Sequence, residues 1–227
     1  MFAFRRYASM VVLVLGSVGV AAPASATATP PRVVSIAQAR ALPLGTTVTV
    51  YATATTPSGW LESSSFDKGF GLQDHSAGIY VSVAVDLAIA PRDKVLVTGQ
   101  LRDSFGLLQL AADPSQVHVR GKGSRIHPRR TATGAVNEAT EGSLVRVAGA
   151  VTQAPVSDLP YGYIFHLDDG SGDLTIFVST QPNIDLSGVT IGKTVAVTGF
   201  SGQFDTHYEV NPRFQSDITV SSRGAGD

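Results

Sequence analysis

Three carboxylates and a serine stand close together in the segment D-D-G-S-G-D, residues 168–173. Carboxylate oxygens at short spacing are the ligands of calcium-binding loops. An EF-hand loop starting at Asp169 requires glycine at its sixth position and glutamate at its twelfth, but these positions hold Leu174 and Thr180. The segment therefore predicts a tight turn between two strands, and we expect no metal site and no cofactor.

Histidine, cysteine and serine form no recognisable catalytic or zinc-binding motif in this sequence. There is no cysteine, and the five histidines do not fall in an H-x-x-x-H or H-E-x-x-H spacing. No G-x-S-x-G or P-loop motif occurs. His166 and Asp168 share one strand face, which is more typical of a polar surface than of a catalytic dyad. We therefore expect a non-catalytic protein, with a phosphodiester hydrolase as an alternative that would need carboxylates and arginines gathered in one pocket.

Alternating apolar residues flank the polar turn on both sides. Phe165, Leu167, Leu174, Ile176 and Val178 recur at every second position, which predicts a hairpin with one buried face. A similar hairpin, Phe70–Val83, stands about 95 residues earlier. The strand-like runs around the two hairpins also match, at offsets between 95 and 100. This repeat predicts two similar β domains, at residues 33–119 and 131–220, with a basic linker at 120–130 and a tail at 221–227.

The N-terminal 26 residues have the layout of a signal peptide. Arg5 and Arg6 precede a short apolar run, and Ala24-Ser25-Ala26 matches a cleavage signal. We therefore expect a secreted or periplasmic protein, and we expect no membrane span after residue 26 because no other apolar run is long enough. Loss of Arg5 and Arg6 would leave 15 basic and 18 acidic side chains, a formal charge of −3. A generic polyanion-binding protein is usually basic.

Several short motifs connect the two repeats to a known family. Val147–Thr152, Phe165–Gly172 and Gly192–Gly199 carry them in the second repeat, and Phe70–Gly78 and Lys94–Gly99 in the first. The pattern resembles bacterial exported OB-fold domains of the nucleic-acid-binding type, including modules attached to secreted nucleases. The resemblance implies an all-β protein of two tandem five-stranded OB-fold barrels. It also implies a ligand on the face of strands two and three, bordered by two loops.

The candidate ligand-binding side chains follow from that resemblance. They lie at outward positions of strands, are aromatic residues of loops, or are basic. Tyr80 and Phe177 are expected to lie outward on the third strand of each barrel, where an exposed ring can stack on a base. The alternative is that these rings pack against the other domain or a loop. The other candidates are Tyr51, Trp60, Phe66, Gln73, Arg102, Phe105, Arg146, His166 and Phe204, with Arg120, Lys122, Arg125, Arg129 and Arg130 in the linker.

The expected partner of these residues is single-stranded DNA or RNA. The five basic linker residues would track its phosphates, giving a steep salt dependence; alternatively they only keep a linker solvated. A second hypothesis is a protein- or oligosaccharide-interaction module of an extracytoplasmic complex, because OB folds also bind oligosaccharides.

Overall fold

A computed structural model describes residues 32–61 and 66–221. The expected signal peptide and most of the expected tail lie outside these residues. The first repeat contains a short helix, α1, and seven strands. Their bounds are β1 Val33–Val34, α1 Ile36–Arg40, β2 Thr47–Ala54, β3 Phe70–Gln73, β4 Gly78–Ser82, β5 Asp93–Ser104, β6 Leu107–Ala111 and β7 Val117–Lys122.

The second repeat contains seven further strands within the described residues. Their bounds are β8 Arg129–Arg130, β9 Leu144–Asp158, β10 Gly162–Asp168, β11 Leu174–Ser179, β12 Thr194–Phe204, β13 His207–Pro212 and β14 Ile218–Val220. Single-turn 3₁₀ helices at Pro114–Gln116, Thr133–Ala135 and Gln215–Asp217 connect some of them.

Each repeat closes into a five-stranded barrel. In the first, β2 pairs with β3, β3 with β4, β4 with β6, β6 with β5, and β5 returns to β2. In the second, β9, β10, β11, β13 and β12 close in the same order. In each barrel the third and fifth strands are the parallel pair. This pairing is that of a five-stranded Greek-key barrel, so the predicted fold class, two tandem OB-fold barrels, is confirmed.

The apolar alternation in the sequence corresponds to the two barrel cores. Phe165, Leu167, Ile176 and Val178 are buried in the second core, as their spacing predicts. The first core is similar and is closed at one end by α1, which Ser35 caps and which buries Ile36 and Ala39. Each barrel therefore buries an apolar core of its own.

The acidic turn between β10 and β11 is held by its own hydrogen bonds. Asp168 accepts from the backbone N–H groups of Gly170 and Gly172, and Asp169 accepts from Ser171 and Thr133. Hydrogen bonds from Ser171 and then Thr133 lower the pKa of Asp169 to about 2. The predicted turn is thus observed, and its carboxylates are used to hold the backbone.

Two segments are more regular than expected from the sequence. The connection between the first two strands of the second barrel is only a three-residue turn at 159–161, because β9 continues to Asp158 and pairs with β10. Five of the eleven residues of the expected linker are also strand, since β7 extends to Lys122 along β5 and Arg129–Arg130 pairs with β9. Residues 123–128 lie between these strands and have no regular structure.

Candidate ligand-binding surfaces

The outward face of β3 and β4 in the first barrel is covered by the second barrel. The Phe200 ring lies 5.7 Å from that of Trp60 and 6.0 Å from that of Tyr80, centroid to centroid. Tyr80 is fully buried, and Trp60 and Phe177 belong to the same buried cluster. The expectation that Tyr80 and Phe177 are exposed stacking surfaces is therefore wrong. Their rings do point away from the barrel cores, but they pack in the contact between the barrels, as the alternative hypothesis stated.

Two glycines allow the barrels to approach each other at the backbone. A Cβ atom on Gly78 would lie 2.0 Å from the carbonyl oxygen of Gly142. Close by, the N–H of Leu144 donates to Oε1 of Gln73 at 2.8 Å. Gln73, a candidate ligand-binding residue, is thus used in the contact between the repeats.

A buried ion pair also joins the repeats. Nη1 of Arg40 lies 3.1 Å from Oε1 of Glu141, whose side chain is fully buried, and Nη2 lies 2.6 Å from Glu138. Burial raises the pKa of Glu141, although Arg40 opposes the shift. The pair crosses from one repeat to the other, and loss of Arg40 would leave the buried Glu141 carboxyl without its cation.

A cavity of about 420 Å³ opens between the barrels beside the buried cluster. Phe105, in the turn after β5, and Phe204, the last residue of β12, stack at its edge with ring centroids 5.4 Å apart. Tyr161 also lines it, and the ring of Phe66 lies 6.0 Å from that of Tyr161. Phe66, Phe105 and Phe204 are exposed. The structure therefore brings the candidates Phe105 and Phe204 together and places a third candidate, Phe66, against Tyr161.

The polar groups of this cavity were not among the predicted candidates. Nδ2 of Asn211 donates to Oε1 of Glu209 at 2.9 Å, and Nε2 of His207 lies 3.9 Å from the other carboxylate oxygen. Burial raises the pKa of Glu209 to about 7, nearby Asp158 adds to the shift and Asn211 opposes it. One signal was available in the sequence: the alternation H-Y-E-V-N at 207–211 places three polar side chains on one strand face.

A second surface lies on the first barrel, where β2, β5 and β7 are neighbours. Tyr51 is 43% exposed, and Nζ of Lys94 lies 5.2 Å from the centroid of its ring. Leu96 pairs with Tyr51 on one side and with His118 on the other. The outward positions around Tyr51 carry no carboxylate: they are Thr49, Thr53, Lys94, Leu96, His118 and Arg120. We call Tyr51, Lys94, His118 and Arg120 the β7 surface.

Lys122 continues the β7 surface but is partly neutralised. Its Nζ lies 2.6 Å from Oδ1 of Asp93, which is buried. Although burial opposes ionisation of Asp93, hydrogen bonds from Lys122 and from the N–H of Ala90 lower its pKa. Arg120 has no ion-pair partner among residues 32–61 and 66–221 and is exposed.

The remaining basic candidates are distributed over the chain. Arg125, Arg129 and Arg130 are exposed after β7, and Arg130 pairs in register with Arg146 of β9. Arg146 donates to Oγ1 of Thr198 at 3.1 Å. Arg102 is exposed toward the other end of β5 and donates to Gln100.

His166 contacts Asp173 through Nδ1, and Asp168 instead accepts from turn backbone. Asp173 also accepts from Thr152 at 2.7 Å. His166 therefore belongs to a polar contact beside the turn.

In the described ranges, no group of three or more His, Cys, Asp or Glu side chains is placed to hold a metal ion, and no helix is long and apolar enough to cross a membrane.

No protein-family model and no curated protein matches this chain. Solved structures do match it. An OB domain from Methanosarcina mazei is 16% identical over 44% of this chain and 89% of its own length, with a TM-score of 0.37. The protein YgiW from E. coli is 19% identical over 39% and 89%, with a TM-score of 0.31. A murine DNA-binding protein bound to double-stranded DNA is 11% identical over 79% and 99%, with a TM-score of 0.39. At these values the likenesses do not bear on function, and the fold rests on the strand pairing.

Proposed function

We propose that this protein is an exported, non-catalytic binding protein whose ligand is single-stranded nucleic acid, and that the β7 surface holds it. The observation that carries the proposal is the exposed Tyr51 ring with Lys94 over it on β5 and exposed Arg120 on β7, the next strand along, where the outward strand positions around Tyr51 hold no carboxylate. An exposed aromatic ring with one cation over it and a second on a nearby strand can take up a base and its phosphates at the same time.

The proposed surface differs from the one that the OB-fold resemblance implies. In the first barrel, the second barrel covers the face of the second and third strands. In the second barrel, the cavity at the corresponding face contains Asp158 and Glu209, and within residues 32–61 and 66–221 neither Lys nor Arg lines it. Phosphates would be repelled there, so the cations of β5 and β7 are the better site for a polyanion.

The connecting segment extends this surface beyond β7. Arg125, Arg129 and Arg130 follow Lys122 along the chain and are exposed. A nucleic-acid strand lying along these residues would meet several basic side chains, one after another, that can bind its phosphates. Each neutralised phosphate adds about −0.7 to the slope of log affinity against log salt for a single strand, so binding is expected to be strongly salt-dependent.

Fluorescence anisotropy with an oligothymidine of roughly 12 nucleotides, a length within the site size of OB folds, tests the proposal. Binding at tens of micromolar or tighter in low salt, weakening steeply as salt is raised, is the expected result. Oligoadenine should bind similarly, since stacking and phosphate contacts tolerate any base. No binding in low salt, or binding that salt leaves unchanged, would contradict the proposal and favour a protein or oligosaccharide ligand.

A further inference from the structure

The cavity between the barrels has a composition that the proposed nucleic-acid surface leaves unexplained. Its edge is formed by the stacked rings of Phe105 and Phe204, and Tyr161 lines it as well. Both barrels contribute to it, so it exists only because the two repeats pack together. Aromatic walls around a concave space of this size are typical of small-molecule sites.

Two carboxyl groups share this cavity, and no lysine or arginine of the described residues lies beside them. Asp158 and Glu209 both line it, and Asp158 is close enough to disfavour ionisation of Glu209. The Glu209 side chain is only 12% exposed. Its neighbours are Asn211, which donates to it, and His207 at 3.9 Å. A charged carboxylate held this far from water requires a partner, and no Lys or Arg among the described residues lines the cavity to provide one.

Asn211 adds a hydrogen-bonding group to the cavity that is only partly used. It is 1% exposed, and its Oδ1 has no hydrogen-bond partner among the described residues. Its amide nitrogen is already committed to Glu209. The unpaired atom on this side of the cavity is thus a hydrogen-bond acceptor, as are the oxygens of the two carboxylates.

We propose that this cavity binds a primary ammonium group, held by the carboxylates of Glu209 and Asp158 and bordered by the rings of Phe105, Phe204 and Tyr161. Aromatic faces attract an organic cation, and the attraction strengthens when the cation is removed from water. A metal ion is a poorer fit, because it would need three or more oxygen or nitrogen ligands and the described residues gather no such group here. A phosphate is a poorer fit because of the two carboxyl groups.

An alkylammonium group has two sources, a free amine and a lysine side chain of a peptide. Cadaverine represents the first and Nα-acetyl-lysine methylamide the second. The Nε-acetylated form of the latter is its uncharged counterpart. NMR titration of the full chain with each probe distinguishes them, because resonances of residues 105, 161 and 204 report on the cavity. We expect both amines to shift these resonances and the acetylated probe to leave them unchanged. Tighter binding of cadaverine indicates a free amine, and tighter binding of the lysine probe indicates a peptide.

The variant Glu209→Gln keeps the shape of the side chain and its bond from Asn211 but removes the charge. Amine affinity should fall about tenfold at pH 8 in this variant, and in Asp158→Asn by a smaller factor. In the wild type, affinity should rise about tenfold from pH 6 to pH 8 as Glu209 ionises, and Glu209→Gln should lose this rise. His207→Gln should keep it, which separates the carboxyl group from the imidazole.

Asp185→Asn is the matched control, since Asp185 is an exposed carboxylate outside the cavity and should leave affinity unchanged. Equal binding of the charged and acetylated probes, or unchanged affinity in Glu209→Gln, overturns the proposal. The nucleic-acid experiment uses a different surface, so either proposal can fail without the other.

Discussion

The indole ring of Trp60 packs against the phenyl ring of Phe200 at a centroid distance of 5.7 Å and an interplanar angle of 67°. Trp60 belongs to a loop of the first barrel, and Phe200 to β12 of the second. Both side chains are almost completely removed from water. An edge-to-face aromatic contact of this kind joins two domains that each have their own core. The barrels should therefore unfold together.

The substitution Phe200→Ala removes the ring that Trp60 and Tyr80 share. Loss of a buried phenyl ring costs about 3–5 kcal/mol of the free energy of unfolding, and it also weakens the contact between the barrels. Urea unfolding followed by tryptophan fluorescence measures both effects, because Trp60 is the only tryptophan. Phe66→Ala is the matched control, since Phe66 is 60% exposed and its loss should change stability by less than about 0.5 kcal/mol. Equal effects of the two substitutions would contradict the assignment of Phe200 to a buried interface.

Gly78→Ala tests the close backbone approach between the repeats. The added methyl group would stand 2.0 Å from a carbonyl oxygen of Gly142, which cannot move like a flexible side chain. We expect a loss of about 2 kcal/mol or more, with the Trp60 fluorescence shifted toward that of an exposed indole. Gly188→Ala is the control, because its nearest contact, at 3.6 Å from Val220, is an ordinary one. Normal stability of Gly78→Ala would show that the barrels do not approach this closely.

The buried carboxyl group of Glu209 predicts a pH dependence of stability. Its folded-state pKa of about 7 lies above the ordinary value of 4.5, so the folded state favours the protonated form. The stabilising effect is complete below the unfolded-state pKa and is lost as pH rises through about 7. Glu209→Gln lacks this change. We expect wild type and variant to be similar near pH 4.5, and the variant to be more stable by about 2–3 kcal/mol at pH 8. Urea unfolding of both proteins at several pH values measures the difference in their free energies of unfolding. A difference that stays the same from pH 4.5 to pH 8 would contradict the prediction.

The local structure of each barrel was predictable because strand alternation and turn residues are properties of neighbouring positions. The stripe from Phe165 to Val178 and the turn at Asp169 were correct for this reason. The repeat then identified the second barrel from the first. Strand ends were less predictable: β9 continues to Asp158 because it pairs with β10, and cross-strand pairing is not visible in the residues of β9 alone.

The candidate sites were predictable only in part, because they depend on contacts between distant segments. The outward orientation of Tyr80 followed from alternation, but its burial depends on Phe200, 120 positions later. The same holds for Phe105, which meets Phe204 only after the barrels pack. Tyr51 and Arg120 were selected from their residue types, whereas Lys94 was missed because its position over Tyr51 depends on strand register.

The salt dependence of oligothymidine binding by the double variant Lys94→Met/Arg120→Gln tests the β7 surface most directly. The methionine keeps an apolar stem over Tyr51, and neither change alters a buried charge. The control is Lys193→Met, which removes a cation from the second barrel. If the β7 surface holds the oligothymidine, the double variant should bind more weakly at low salt. The slope of log affinity against log salt should also become shallower by about 1.4, as expected for two lost phosphate contacts. The control should match the wild type. A double variant with wild-type affinity and slope would contradict the account.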